Sequence, residues 1–143
     1  MSILYISLIV AHVLVAVLGL GSIASVAIVA ATARRAGSGS TGASVWLGPL
    51  LRCSELSLAA MLVTGVLMDL MVGGEFRAAW WFRGSALLLV TTGVLQAQAR
   101  QAVRRELVSE DDGAVVLRRV EWIAYGMCAL IGVIAVLMEV KPF

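Results

Sequence analysis

The sequence predicts an all-α fold: a bundle of four transmembrane helices with both termini outside the cytoplasm. Two observations lead there. Of 143 residues, 61% are apolar and only 14% charged, against about half and about a quarter in an ordinary soluble domain, and the mean hydropathy is +0.99. The apolar residues also gather into four stretches, each reaching the roughly 20 residues that cross ~30 Å of hydrocarbon. A water-soluble fold of this size could not hide so much apolar surface. In lipid each crossing segment must satisfy its own backbone, which selects helix.

The first helix is expected over about 3–33. No basic n-region or clear small-residue cleavage site accompanies it, so it reads as a retained helix and not a signal peptide. Arg34-Arg35 and the Gly/Ser-rich stretch to Gly42 form the first loop. The second helix is expected over about 50–72 and is closed by the tight turn Gly73-Gly74-Glu75-Phe76-Arg77. The third, over about 80–107, opens on Trp80-Trp81-Phe82-Arg83. The fourth, over about 110–140, starts with Ser109 as N-cap before Glu110, Asp111 and Asp112, acids that suit a helix N-terminus. All four belong to one membrane domain spanning 1–143. Arg34, Arg35, Arg52, Arg100, Arg104, Arg105, Arg118 and Arg119 flank the first and third loops, while only Arg77, Arg83 and Lys141 lie on the other side. The basic loops are therefore expected in the cytoplasm, with a bacterial inner (plasma) membrane as the setting. Trp80, Trp81 and Phe82 fit an outer aromatic belt, Trp46 and Trp122 an inner one.

A net charge of +2 with no basic block is too small to suggest a nucleic-acid partner, and none is expected. Cys53 and Cys128 sit in apolar segments and form no CxxC pair. No Ser-His-Asp set, phosphate-binding Gly loop or zinc spacing is present.

Ionisable groups within a span are functional candidates. His12, the sole histidine, stands about nine residues into the first helix, roughly 13 Å deep. Ala16, Gly19 and Ser22 share its side and allow another helix or a flat ligand to approach. His12 is thus a candidate axial ligand to haem iron, against an imidazole hydrogen-bonded to a neighbouring helix. Glu55 and Asp69 share a side of the second helix with Arg52 close by. They read either as a proton or cation path with Glu121, or as ion pairs of Glu55 with Arg52 or Arg118 and of Asp69 with Arg83. Glu121 and Glu139 bound a stripe of Tyr125, Cys128, Gly132 and Ala135 that should face the bundle or a partner chain. Arg83 can snorkel to the headgroups or clamp a haem propionate. Met61, Met68, Met71, Met127 and Met138, with the cysteines, raise copper as a weaker idea.

His12-Val13-Leu14 followed by Leu18-Gly19-Leu20-Gly21, then Thr64-Gly65, Trp80-Trp81-Phe82-Arg83 and the ending Val140-Lys141-Pro142-Phe143 resemble small four-helix membrane proteins. These are the HemJ-type protoporphyrinogen oxidases, the CopD-like copper-resistance proteins and an uncharacterised predicted integral membrane family. The resemblance implies haem binding at His12. Where the HemJ type carries an essential lysine this chain has Arg83, which stays protonated; an aromatic residue usual after the histidine is Gly19 here, and a hallmark Pro-Arg is missing. The uncharacterised family is therefore the nearer likeness. The leading expectation is a b-type haem-binding membrane protein in a redox or haem-related role, with a two-fold homodimer able to supply a second histidine. The alternatives are a cation- or proton-coupled transporter or channel, and a non-catalytic subunit of a larger membrane complex.

Overall fold

The computed structural model describes residues 3–37, 41–106 and 113–140. They fold into four α-helices and one 3-10 turn: α1 (Ile3–Arg35), α2 (Thr41–Met71), the turn Glu75–Ala78, α3 (Trp80–Glu106) and α4 (Gly113–Val140). α1, the Val45–Met71 part of α2, and α4 are long and apolar enough to cross a membrane. α3 is not among them, contrary to the expectation of four such helices. It is long enough, but Arg83 near its start and Gln96, Gln98, Arg100, Gln101, Arg104 and Arg105 in its second half dilute its apolar content.

The second helix begins at Thr41, well before the expected 50, and runs through Pro49. A proline removes one helical hydrogen bond. Here Leu47 and Leu51 on either side of it are each only 1% exposed, and their burial outweighs that loss. The expected cap at Ser109 and the acids 110–112 lie outside the described residues, as does the ending 141–143.

The helices run up, down, up and down, as the cross-contacts show. His12 on α1 meets Thr64 late on α2. Gln96 late on α3 meets Leu51 and Ser54 early on α2. Arg34 at the end of α1 meets Glu121 early on α4. Each helix touches two neighbours, in the ring α1–α2–α3–α4–α1, so α1 and α3 face each other diagonally, as do α2 and α4. The α2–α3 seam is the thinnest. Gln96 ties it, donating from Nε2 to the Leu51 carbonyl (2.7 Å) and the Ser54 hydroxyl (2.6 Å), the kind of polar link that joins helices where the surroundings are apolar.

The packed core occupies one half of the bundle. Ile23, Val26, Ala27 and Ala30 of α1 meet Leu47 and Leu51 of α2, Ala99 and Val103 of α3, and Leu117, Val120 and Met127 of α4. This is the basic end, where Arg34, Arg35, Arg52, Arg100, Arg104, Arg105, Arg118 and Arg119 gather. Towards the other, aromatic end the helices enclose less. Much of the bundle's outer surface is apolar: Leu14, Val17 and Leu18 are each more than half exposed, as are Leu56, Leu87 and Val136. A surface of that kind suits lipid and not water.

At the aromatic end the turn between α2 and α3 is organised by Asp69, 1% exposed. Its carboxylate takes Arg77 Nε (2.5 Å) and the Phe76 backbone N–H (3.1 Å), and its backbone carbonyl takes the Gly74 N–H (2.8 Å). Gly73 and Gly74 have φ of 77° and 82°, a left-handed pair that side chains resist. Asp69 is therefore paired with Arg77, not with Arg83. Arg77→Ala leaves a buried carboxylate with a backbone N–H in place of its cation. Thermal unfolding in detergent should show a loss of about 2 kcal/mol, with Arg77→Lys intermediate.

Candidate functional site

The half of the bundle without packed core holds a cavity of about 390 Å³, within the range of roughly 300–1,000 Å³ usual for ligand pockets. All four helices contribute to it: His12 and Ala16 from α1, Met61 and Gly65 from α2, Phe82 and Ser85 from α3, and Ile134 and Met138 from α4, among others. Its wall is overwhelmingly apolar, and His12 and Ser85 supply its polar side chains.

His12 is oriented by a hydrogen bond of 2.6 Å between its Nδ1 and Thr64 Oγ1. Thr64 donates its single hydroxyl proton to the Ala60 carbonyl (2.7 Å) one turn back on its own helix. Towards His12 the hydroxyl oxygen must then accept, so Nδ1 carries the ring proton and donates it. In the neutral ring the lone pair then falls on Nε2, which makes no hydrogen bond among the described residues. A metal-binding histidine is commonly fixed this way, by donating its second N–H to a neighbouring oxygen. Gly65, one residue beyond Thr64, lies beside the ring: a Cβ there would sit 3.7 Å from His12 Cε1, an ordinary contact.

The other expected site residues fall in different places. Ala16 lines the cavity with His12. Gly19 does not; it is the close approach of α1 to α2, where an added Cβ would stand only 3.1 Å from Ser57 Cβ. Arg83 follows Phe82 of the cavity wall but is exposed, and its Nε donates to the Arg77 carbonyl (2.8 Å) at the aromatic end.

Glu55 pairs with Arg100 across the α2–α3 seam (2.5 Å), not with Arg52 or Arg118, and Arg52 is exposed. Glu121 is buried between α1 and α4, where Arg34 reaches both its oxygens at 2.8 and 3.4 Å. Glu55 and Asp69 are fourteen residues apart on α2, roughly 21 Å, and Glu121 is on the diagonal helix. The structure brings none of these three acids next to another, and each has its own arginine.

Of the sulfur side chains, Met61 and Met138 converge on the cavity, while Met127 is fully buried in the packed core. Cys53 and Cys128 are free. Among the described residues no three His, Cys, Asp or Glu side chains cluster as a metal site would need.

Thr64 is the partner of His12, a part the sequence conceals. Serine and threonine in a helix normally bond their own backbone, as Ser22, Ser25, Ser54, Thr91 and Thr92 do here. Only the level at which Thr64 meets the histidine reveals its part. The chain matches no protein-family model, no curated protein and no solved structure.

Proposed function

We propose that this chain is an integral membrane protein that holds a b-type haem in the cavity between its four helices, with His12 Nε2 as axial ligand. The observation that carries the reading is the hydrogen bond between His12 Nδ1 and Thr64 in the wall of a large apolar cavity, which in the neutral ring leaves Nε2 free to ligate a metal. The donor chemistry fits: a neutral imidazole suits iron, apolar walls suit the macrocycle, and Met61 and Met138 add soft atoms to the lining. Ala16 and Gly65 keep α1 and α2 small where a flat ligand would lie. Bound haem would supply electron transfer or ligand binding; the protein supplies the fixed ring, a dry cavity and shape. Arg83, next in sequence to Phe82 of the cavity wall, is the cation that would hold a haem propionate.

In this reading α3 crosses the bilayer as the fourth helix, because it packs between α2 and α4 with Thr92 and Gln96 turned inward. The basic end faces the cytoplasm of a bacterial inner membrane, as positive residues do, so the haem lies in the outer half of the bilayer. Homodimers or a larger membrane complex are compatible with the exposed apolar flanks.

Cu(I) is the second reading, favoured by the shared cavity of His12, Met61 and Met138, since thioethers suit that ion. Haem leads because a single ion needs far less than 390 Å³.

Titrating haem into the full-length protein in detergent tests the proposal. The wild type should develop a Soret band at one haem per chain, and His12→Ala should lose it. Thr64→Val should weaken binding by roughly ten- to a hundredfold, the usual cost of removing such a supporting hydrogen bond. An unchanged band in His12→Ala contradicts the assignment.

A further inference from the structure

At the basic end α3 and α4 leave a cleft of about 220 Å³ between them. Its polar lining is Gln98, Gln101 and Arg105 of α3 and Arg119 of α4, with Val115 and Val116 as an apolar wall. All four polar side chains are exposed. The guanidinium groups bring positive charge, and the amides add hydrogen-bond donors. No acid lines the cleft. Elsewhere Arg34, Arg77 and Arg100 each meet a carboxylate, and the cleft between α2 and α3 that includes Arg100 includes Glu55 as well. Arg119 enters no ion pair among the described residues. The charge of this cleft is complementary to an anion.

The surface next to the cleft says what kind of anion. Leu87, Val94, Gln98, Gln101 and Arg105 recur at intervals of three, four or seven residues, so they share one side of α3. Arg119, Trp122 and Val133 align likewise on α4. Trp122, about one turn inward from Arg119, is 66% exposed and meets Tyr125 edge-on with ring centroids 6.3 Å apart. Beyond this pair, away from the basic end, Leu87, Val94 and Val133 are exposed. The face thus runs from arginines and amides, through an aromatic pair, to bare aliphatic side chains. A phospholipid presents the same order: phosphate, interfacial region, acyl chains. Trp and Tyr are the residues that favour the middle layer.

We propose that this cleft holds the phosphate of an anionic phospholipid, with Arg105 and Arg119 as its cations and Gln98 and Gln101 as further donors, while the acyl chains run past Trp122 along the α3–α4 face. Basic pockets between membrane helices bind such headgroups. Two cations with no acid among them favour a lipid of net negative charge over a zwitterionic one. A free phosphate ion would use the same cations and leave the aromatic and aliphatic part of the face unused. The inference rests on the basic end standing at a bilayer surface and is independent of the haem reading.

The test titrates the full-length protein in detergent with phosphatidylglycerol or phosphatidylcholine and counts bound lipid by native mass spectrometry. Physiological ionic strength is used, since it weakens charges that are not in contact. Phosphatidylglycerol should bind the more tightly. Arg105→Gln with Arg119→Gln should weaken it about tenfold or more. Arg104→Gln with Arg118→Gln removes the same charge outside the cleft lining and should change it by no more than about twofold. Tryptophan fluorescence gives a reading that needs no arginine variant. Phosphatidylglycerol brominated on its acyl chains should quench more than brominated phosphatidylcholine, and Trp122→Phe should remove the difference. Equal binding of the two lipids, an equal loss in both arginine pairs, or displacement of phosphatidylglycerol by an equal concentration of inorganic phosphate overturns the inference. So does binding that emerges only when Glu110, Asp111 and Asp112 are changed to amides, because those acids would then be the partners of the arginines. A chain that stays in solution without detergent overturns the bilayer placement, and this inference with it.

Discussion

Gly65→Phe is expected to abolish haem binding while leaving the bundle folded. Gly65 lies in the cavity wall beside Thr64, and an added Cβ would meet His12 Cε1 at 3.7 Å, an ordinary contact. Gly65→Ala should accordingly bind haem much as the wild type does. A phenyl ring extends beyond that point into the space that ligand and imidazole share. Overpacking a filled core costs about 1–3 kcal/mol, but here the side chain enters a cavity of about 390 Å³. Thermal stability should therefore hold or rise. Haem titration and thermal unfolding of the three proteins separate the outcomes, and full binding by Gly65→Phe would place the ligand elsewhere.

Arg34→Ala should produce the largest loss of stability, larger than that of Arg77→Ala. The Glu121 side chain is 8% exposed, its partner Arg34 35%, and the pair joins the end of α1 to the start of α4 beside core residues Val120 and Ala124. Removing the cation leaves a buried carboxylate without compensation, for which losses of about 3–5 kcal/mol are typical. Arg34 itself is partly open to the surroundings, which moderates the loss below that of a fully buried pair. Replacing both, Arg34→Leu with Glu121→Leu, removes the orphaned charge and should recover most of the loss. Thermal unfolding in one detergent across Arg34→Leu, Glu121→Leu and the double variant measures the coupling directly.

The helices were legible because lipid leaves apolar length as the dominant signal, and bounds such as 3–33 and 80–107 fall close to those observed. α2 was misjudged at its start because Pro49 reads locally as a break, whereas the burial of Leu47 and Leu51 that overrides it is a tertiary fact. His12 was legible as the one histidine within a span. Its orientation was not, since it depends on Thr64 arriving at the same level from another helix. The pairings misread for the same reason. Depth alone offered Arg52 or Arg118 for Glu55 and Arg83 for Asp69. The observed partners follow from the turn that folds Arg77 back onto Asp69 and from the seams that bring Arg34 to Glu121 and Arg100 to Glu55.

That a single oriented imidazole in this cavity binds haem is tested most directly by the absorption spectrum of the full-length protein purified from cells supplied with haem. The account predicts a Soret band with one haem per chain that is lost in His12→Ala and retained in Gly19→Ala, whose site is the α1–α2 contact and not the cavity. A protein that remains colourless through expression and reconstitution, or a band that His12→Ala leaves unchanged, would contradict it.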